Sequence, residues 1–451
     1  MILTARRRGH FNTVLWRCEG LVSGMPSLER PKLRLVVPRR VEHQGQPFVL
    51  LQDPTGVVAQ PIILPFDGFQ HIVRHFDGQS TLNEIQARVL RQTGLFLALR
   101  ELQDLVSRLD AAMILDGPTF AAFHQLYRES GRRPAALAGR SYAATVRALR
   151  AQLEQFFVGS GGAGLPRDGH AGSATSFRGI LSPHIDFQRG GPVYTFSYKE
   201  LVERSQADTF VVLGVAHQYC RRRFALTRKD FETPLGLVPT DRSYVDRIAA
   251  LAGHELFDDE LSHRTEHSIE FQVVFLQYLL GAKRDFSIVP ILVGSFHDLM
   301  ERGIDPIEDP EVNRFIEALR AAEFAHGKRV AYIGGIDLSH VGPEFGDPHP
   351  VDPGFQEQVR LFDDRLLERA AACDPSGWFQ TVAGVGNRYR VCGLAATYTM
   401  LHAIGPARGQ LLRYIQALDD RRTCCVSFAS MIFHADDPPL TTAESHVANP
   451  A

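Results

Sequence analysis

From Ser176 onward, apolar runs alternate with stretches whose apolar residues recur at helical spacing. The runs at 177–182, 209–215, 286–294, 329–336, 411–417 and 424–433 predict strands. The stretches at 192–205, 241–252, 266–280, 310–325, 353–372, 375–382 and 393–403 predict helices. Strand–helix alternation of this length predicts an α/β domain of three layers around a mostly parallel sheet. No internal repeat interrupts it.

The first hundred residues follow a different rhythm. Leu33–Pro38 and Phe48–Leu51 predict two strands around a turn at Gln44-Gly45-Gln46, and Asp53-Pro54-Thr55-Gly56 predicts a further turn. Thr81-Leu82-Asn83-Glu84 has the spacing of a capping box, and the helix it opens carries Leu82, Ile85, Val89 and Leu90 on one face until Gly94. A second helix with Leu102, Leu105, Val106 and Leu109 follows, then a short strand at 112–115. This order, with Phe76-Asp77-Gly78-Gln79-Ser80-Thr81 opening the middle helix, resembles PqqD-like winged-helix domains over about residues 31–118. That resemblance implies peptide recognition; a small structural cap is the alternative. Nucleic-acid binding is disfavoured, because Arg100 and Arg108 are offset by Glu101, Asp104 and Asp110. Residues 119–160 predict further helix with Leu149, Leu153, Phe156 and Phe157 on one side. Gly159-Ser160-Gly161-Gly162-Ala163-Gly164 then opens a loop expected to reach about Thr175.

Composition narrows the class. The 451 residues are 44% hydrophobic and 22% charged, with a formal net charge of -2, so no bulk attraction to nucleic acid or membrane is expected. No apolar run approaches the roughly 18 residues needed to span a bilayer. The start, Met1 to Arg8, reads as a tail without a signal peptide, with Met25 as an alternative start. The six cysteines show no disulfide-framework spacing, which points to a reducing cytoplasm.

Three predicted strands end in histidine: Ile180-Leu181-Ser182-Pro183-His184, Val211-Val212-Leu213-Gly214-Val215-Ala216-His217 and Ile333-Gly334-Gly335-Ile336-Asp337-Leu338-Ser339-His340. The C-terminal ends of parallel strands converge on one crevice, so three histidines there suggest a metal site. Any one of them alone is more often a surface residue. Glu266-His267-Ser268-Ile269-Glu270 opens a helix, and its acids have an alternative reading as decoration favoured by the helix dipole. Cys392 precedes Gly393 at a predicted helix start, where a thiolate is stabilised; a buried small hydrophobe is the commoner fate of a free cysteine.

The ordered series His184, His217, Glu266-His267-Ser268-Ile269-Glu270, Asp337-Leu338-Ser339-His340 and Cys392-Gly393 resembles the Memo family, in particular AmmeMemoRadiSam system protein B, over about residues 133–435. Ala138-Gly139-Arg140-Ser141-Tyr142, Thr233-Pro234-Leu235-Gly236 and Val289–Gly294 support it. The resemblance implies a fold like that of class III extradiol dioxygenases and a non-haem iron(II) centre. It implies His184, His217 and Cys392 as metal ligands. Asp337 and His340 correspond to a supporting or acid/base pair, and Glu266, His267 and Glu270 to residues lining the same cleft. Copper and zinc also suit an imidazole–thiolate set. The chain departs from the common pattern at Ile185-Asp186, where the family often has Ala-Gly, and at Gln218, where it often has a second histidine. The family name further implies radical-SAM and AMMECR1-like partner proteins.

The expected organisation is a tail (1–30), a winged-helix-like α+β domain (31–118), a linker (119–132), a metal-binding α/β domain (133–435) and a second tail (436–451). The expected function is a metal-dependent oxygenase-type enzyme acting on a peptide or protein brought by the first domain. A non-catalytic metal-binding interaction protein is one alternative. A zinc hydrolase using Glu266 or Glu270 to activate water is another.

Overall fold

Thr81 and Glu84 form the expected capping box: the Glu84 N–H donates to Thr81 Oγ1 (3.2 Å) and the Thr81 N–H to Glu84 Oε2 (2.7 Å). The computed structural model in which this is seen describes residues 28–167 and 177–436. The two expected tails lie almost wholly outside those residues, as does the 168–176 part of the glycine-rich loop.

The chain divides into two compact units between Ser130 and Gly131. In the first, β1 (Val37–His43) and β2 (Gln46–Gln52) form a hairpin, with Gln44 and Gly45 both at positive φ as a two-residue turn requires. β3 (Ile62–Pro65) extends the sheet in the order β1-β2-β3. Helices α1 (Phe66–His71), α2 (Leu82–Thr93), α3 (Leu99–Ala111) and α4 (Pro118–Glu129) follow. Leu51, Ile85, Leu102, Leu109 and Ile114 are fully buried between sheet and helices. Two details differ from expectation. β3, four residues bounded by prolines, was not predicted. The strand expected at 112–115 is a single bridge between Leu33 and Leu115. Within the linker expected at 119–132, the predicted helix is present as α4, which Pro118 opens from a first-turn position where its missing N–H costs nothing.

The second unit contains β4 (Arg132–Arg133), α5 (Val146–Val158), β5 (Phe177–Ser182), α6 (Phe187–Arg204), β6 (Thr209–Val215), β7 (Phe224–Leu226), β8 (Asp230–Thr233) and β9 (Gly236–Val238). It continues with α7 (Arg242–Ala252), α8 (His267–Leu280), β10 (Ser287–Val293), α9 (His297–Glu301), α10 (Pro310–Phe324) and β11 (Val330–Gly335). β12 (His340–Val341), α11 (Pro353–Ala371), α12 (Pro375–Ala383), α13 (Leu394–Ile404), β13 (Ala407–Leu418) and β14 (Cys425–Ala435) complete it. The main sheet runs β12-β14-β5-β11-β6-β10-β7, with β13 also on β14. Its centre, β5-β11-β6-β10, is parallel, and the flanking pairs are antiparallel. Helices α5, α6 and α8 pack one face around Phe187, Tyr194 and Phe275. Helices α7, α10, α12 and α13 cover the other around Phe315, Trp378 and Tyr398. The result is the three-layer α/β domain that the alternation predicts. It brings the C-terminal ends of β5, β6 and β11 to one edge.

Candidate metal centre

β5 stops at Ser182 because Pro183 cannot continue the ladder. Gln272 Nε2, from α8, donates to the Pro183 carbonyl (2.8 Å), and the His184 N–H donates to Asp337 Oδ1 (2.9 Å). His184 is thereby fixed at the strand end. Its Nδ1 lies 2.8 Å from the Gly335 carbonyl oxygen, so Nδ1 carries the proton and Nε2 keeps a lone pair. His217 follows the end of β6. Its N–H donates to Glu266 Oε2 (3.0 Å), and its Nδ1 lies 3.0 Å from Glu266 Oε1. His267 is the first residue of α8, with Nδ1 3.2 Å from the same Oε1. Glu266 also caps α8 by accepting from the N–H groups of His267 and Ser268. One carboxylate therefore faces two imidazoles and closes a helix terminus.

The three rings stand together, with centroids 4.9 Å (His184–His217), 5.1 Å (His184–His267) and 4.5 Å (His217–His267) apart. One nitrogen from each lies within 4.8 Å of the others; this group contains His267, and not Cys392, beside the expected His184 and His217. Cys392 Sγ is 3.3 Å from His184 Nε2 and 3.5 Å from the Asp337 carbonyl. Two glycines permit this closeness. A Cβ on Gly335 would stand 2.4 Å from the Ser268 carbonyl oxygen, and one on Gly393 would stand 2.7 Å from that of Asp337. α8 and the start of α13 can thus press against the exit of β11.

Burial, then the neighbouring His217 and His267, hold His184 well below the usual imidazole range. Burial likewise lowers His267 to about 4. It opposes ionisation at His217 as well, but Glu266 outweighs it and the net shift is upward. For Glu266, burial favours the neutral acid; the facing histidines override this and hold the carboxyl well below its usual range. Burial, reinforced by Asp337, keeps Cys392 a thiol in the absence of a cation. These are the properties of a donor set awaiting positive charge: two neutral imidazoles, a third beside a carboxylate, and a thiol that a metal would deprotonate. A tetrahedral ion with Zn–N and Zn–S distances near 2.0 and 2.3 Å separates its donors by roughly 3.5 Å, close to the observed sulfur–nitrogen distance.

Not every expected residue reaches this cluster. His340 opens β12, outside the three grouped histidines, with Nδ1 3.1 Å from the Leu338 carbonyl; burial lowers it to about 4. Ser339 beside it donates to Asp363 Oδ1 (2.6 Å). Asp337 does reach the cluster: one carboxylate oxygen accepts from the His184 N–H and the other lies 3.8 Å from His184 Nε2, while burial raises the acid to about 7. Glu270 is not in the cleft. It is fully buried in an ion pair with Arg133, and it accepts from Tyr142 Oη and from the N–H groups of Ala136 and Leu137. Arg133 also donates to the carbonyls of His263 and Glu266, so this pair braces the start of α8 from behind. Sequence reasoning missed Arg133 and Gln272; nothing local distinguishes them. The two departures from the family pattern serve loop geometry. Asp186 caps α6 and pairs with Arg189 (2.6 Å), and Gln218 Nε2 donates to Thr265 Oγ1 (2.6 Å).

A three-layer α/β domain with imidazoles and a thiol gathered at the C-terminal edge of its parallel strands is the class of protein defined here. The Memo-like protein family model matches residues 133–432, and the chain belongs to that family. A MEMO1 family protein of Aquifex aeolicus is 27% identical over 419 residues, covering 90% of this chain and all of the relative. One from Thermus thermophilus is 29% identical, covering 74% of this chain and 93% of its own length. One from Methanopyrus kandleri is 30% identical, with coverages of 67% and 98%. Among the described residues, no helix is long and apolar enough to cross a membrane.

Proposed function

We propose that the second unit is a mononuclear metal-dependent redox enzyme of the oxygenase type, holding iron(II) through His184, His217 and Cys392 with His267 as a fourth donor. The observation that carries this reading is the grouping of three imidazole nitrogens within 4.8 Å, with Cys392 Sγ 3.3 Å from His184 Nε2. Bound iron(II) would supply one-electron chemistry with dioxygen. Four donors would close a tetrahedral zinc site but leave two positions on a six-coordinate iron, and the redox reading rests on the latter. Glu266 orients His217 and His267 and offsets the charge that a cation brings. His340, neutral at physiological pH, is the group available to take a proton from a substrate hydroxyl. Asp337 keeps His184 in place through the backbone.

The test is anaerobic iron loading of the full chain, followed by metal analysis and oxygen uptake. Wild type is expected to bind one iron and consume oxygen. Cys392→Ser and His217→Ala are expected to lose most of the metal, whereas His340→Ala keeps it. Full occupancy in both of the first two variants would overturn the ligand assignment. Tight zinc with no oxygen uptake by the iron form would overturn the redox reading.

A further inference from the structure

A cavity of about 240 Å³ opens beside Cys392 at the same edge of the sheet. Its apolar wall is built from Val215, Val293, Phe296 and Leu394, its polar side holds Ser295, His297, Asn387 and Arg390, and of the centre's residues Cys392 alone lines it. Asn387 and Arg390 belong to the loop between α12 and α13, and both sit at positive φ, 49° and 52°. Asparagine adopts that conformation readily, whereas it is uncommon and strained for arginine. Contacts hold the strained loop in place. Asn387 Oδ1 accepts from the Val391 N–H (2.8 Å), the Arg390 guanidinium pairs with Asp347 (2.7 Å), and it donates to the His340 carbonyl (3.2 Å). The loop thus fixes a guanidinium on the cavity wall and ties it to the segment bearing His340. Leu394 and Ala395, the first residues of α13, also line the cavity, and no side chain caps that helix, so its N-terminal partial charge adds to that of Arg390.

We infer that this cavity binds a small organic monocarboxylate with an apolar body, its carboxylate against Arg390 and its body against Val215, Val293, Phe296 and Leu394, presented to the centre beside Cys392. The inference rests on the metal-centre reading, since it treats the cavity as that centre's substrate chamber. A singly charged head fits better than a dianion, because Asp347 already takes both terminal nitrogens of Arg390 (3.2 and 2.7 Å) and leaves the Nε–H edge of the guanidinium for the ligand. A planar guanidinium suits a carboxylate. The volume admits a body about the size of one aromatic ring. The whole apolar wall would be idle for an inorganic anion.

The test measures binding alone, without turnover: calorimetric titration of the anaerobic full-length protein with phenylacetate, benzyl alcohol or phenyl phosphate. Phenylacetate is expected to bind more tightly than the other two. Arg390→Gln is expected to weaken phenylacetate by about 10- to 100-fold while leaving benzyl alcohol nearly unchanged. Ser295→Trp places a large ring at an exposed lining position, away from the Asp347 pair, and should abolish binding while leaving the 387–390 loop intact, at the loss of the Oγ that accepts from the His297 N–H (3.0 Å). Equal phenylacetate affinity in wild type and Arg390→Gln, preference for phenyl phosphate, or unchanged binding in Ser295→Trp would each overturn the inference. Metal content measured on the same samples separates the two proposals. Carboxylate binding without metal retention leaves this inference standing and removes the metal reading, and the reverse result does the opposite.

Discussion

Glu266 carries more of the site than any other single side chain, since it caps α8, accepts from the His217 backbone and faces two imidazoles. The sequence singled it out together with Glu270 because acids four apart share a helix face. That reasoning holds only when both are helical. Glu266 is the cap, with φ -71° and ψ 130°, so the two side chains diverge. Glu270 meets Arg133, 137 residues earlier, a contact that no local pattern announces. The convergence of His184 and His217 was legible because parallel strand ends meet at one crevice; His267 was expected in the same cleft, but its grouping with them as a third donor was not, since it depends on how α8 leans. His263 supplies a pH test near this shell. It is buried, its Nε2 lies 3.0 Å from the Ala225 carbonyl, and burial lowers it to about 4. Unfolded, it would titrate near 6.5. As pH falls from 6.5 to 4, the unfolded chain takes up a proton that the fold refuses. The folded state therefore loses stability across that window, by about 3 kcal/mol at most. His263→Gln keeps a donor for Ala225 but cannot titrate. Its melting temperature should fall less steeply than that of the wild type between pH 6.5 and 4.5. Parallel curves would contradict a neutral buried His263.

At the scale of elements, the long members of the second unit lie where alternation and periodicity put them, and the short ones do not. β7, β8 and β9 have only three or four residues, too few for a period to register, and each depends on a partner that supplies most of its order. β12 has two residues and exists because β14 presents an edge at His340. The same dependence governs the junction of β11 and α13. Gly393 has an ordinary φ of -73°, so its role is space rather than backbone freedom. A Cβ there would meet the Asp337 carbonyl at 2.7 Å and Ile336 Cβ at 2.7 Å. Gly393→Ala must push the start of α13 off the β11 exit and carry Cys392 away from His184. Overpacking of this kind costs about 1–3 kcal/mol. The expected result is an unchanged far-UV circular dichroism spectrum, a lower melting temperature and a metal affinity reduced by roughly tenfold or more. A competition titration against a chelator reads the affinity. Wild-type affinity would show that Cys392 does not depend on this approach.

For the whole molecule, the two-unit division decides what can be removed. The pattern predicts a first domain to about 118 and a second from about 133, and the compact units divide between Ser130 and Gly131, close to the expected start of the second. Two residues past that junction stands Arg133, fully buried with Glu270, in a strand that pairs with β8. A cut on either side of Arg133 therefore has opposite consequences. A fragment of residues 131–451 keeps the β4–β8 pair and the guanidinium. A fragment of residues 134–451 leaves the Glu270 carboxylate buried without its cation. Removing one partner of a buried ion pair typically costs about 3–5 kcal/mol, a large fraction of the roughly 5–15 kcal/mol that stabilises a domain. Because Arg133 also holds the carbonyls of His263 and Glu266, the loss falls on the start of α8 and so on the imidazoles. The longer fragment should fold and retain metal; the shorter should unfold at markedly lower denaturant or fail to hold metal. Trypsin cleavage at the exposed Arg128 of the full-length chain offers an independent route to the longer piece. Equal stability and equal metal content in the two fragments would show that the Arg133–Glu270 pair is dispensable. If both fragments precipitated, the first unit would be a required part of the second rather than a separate fold.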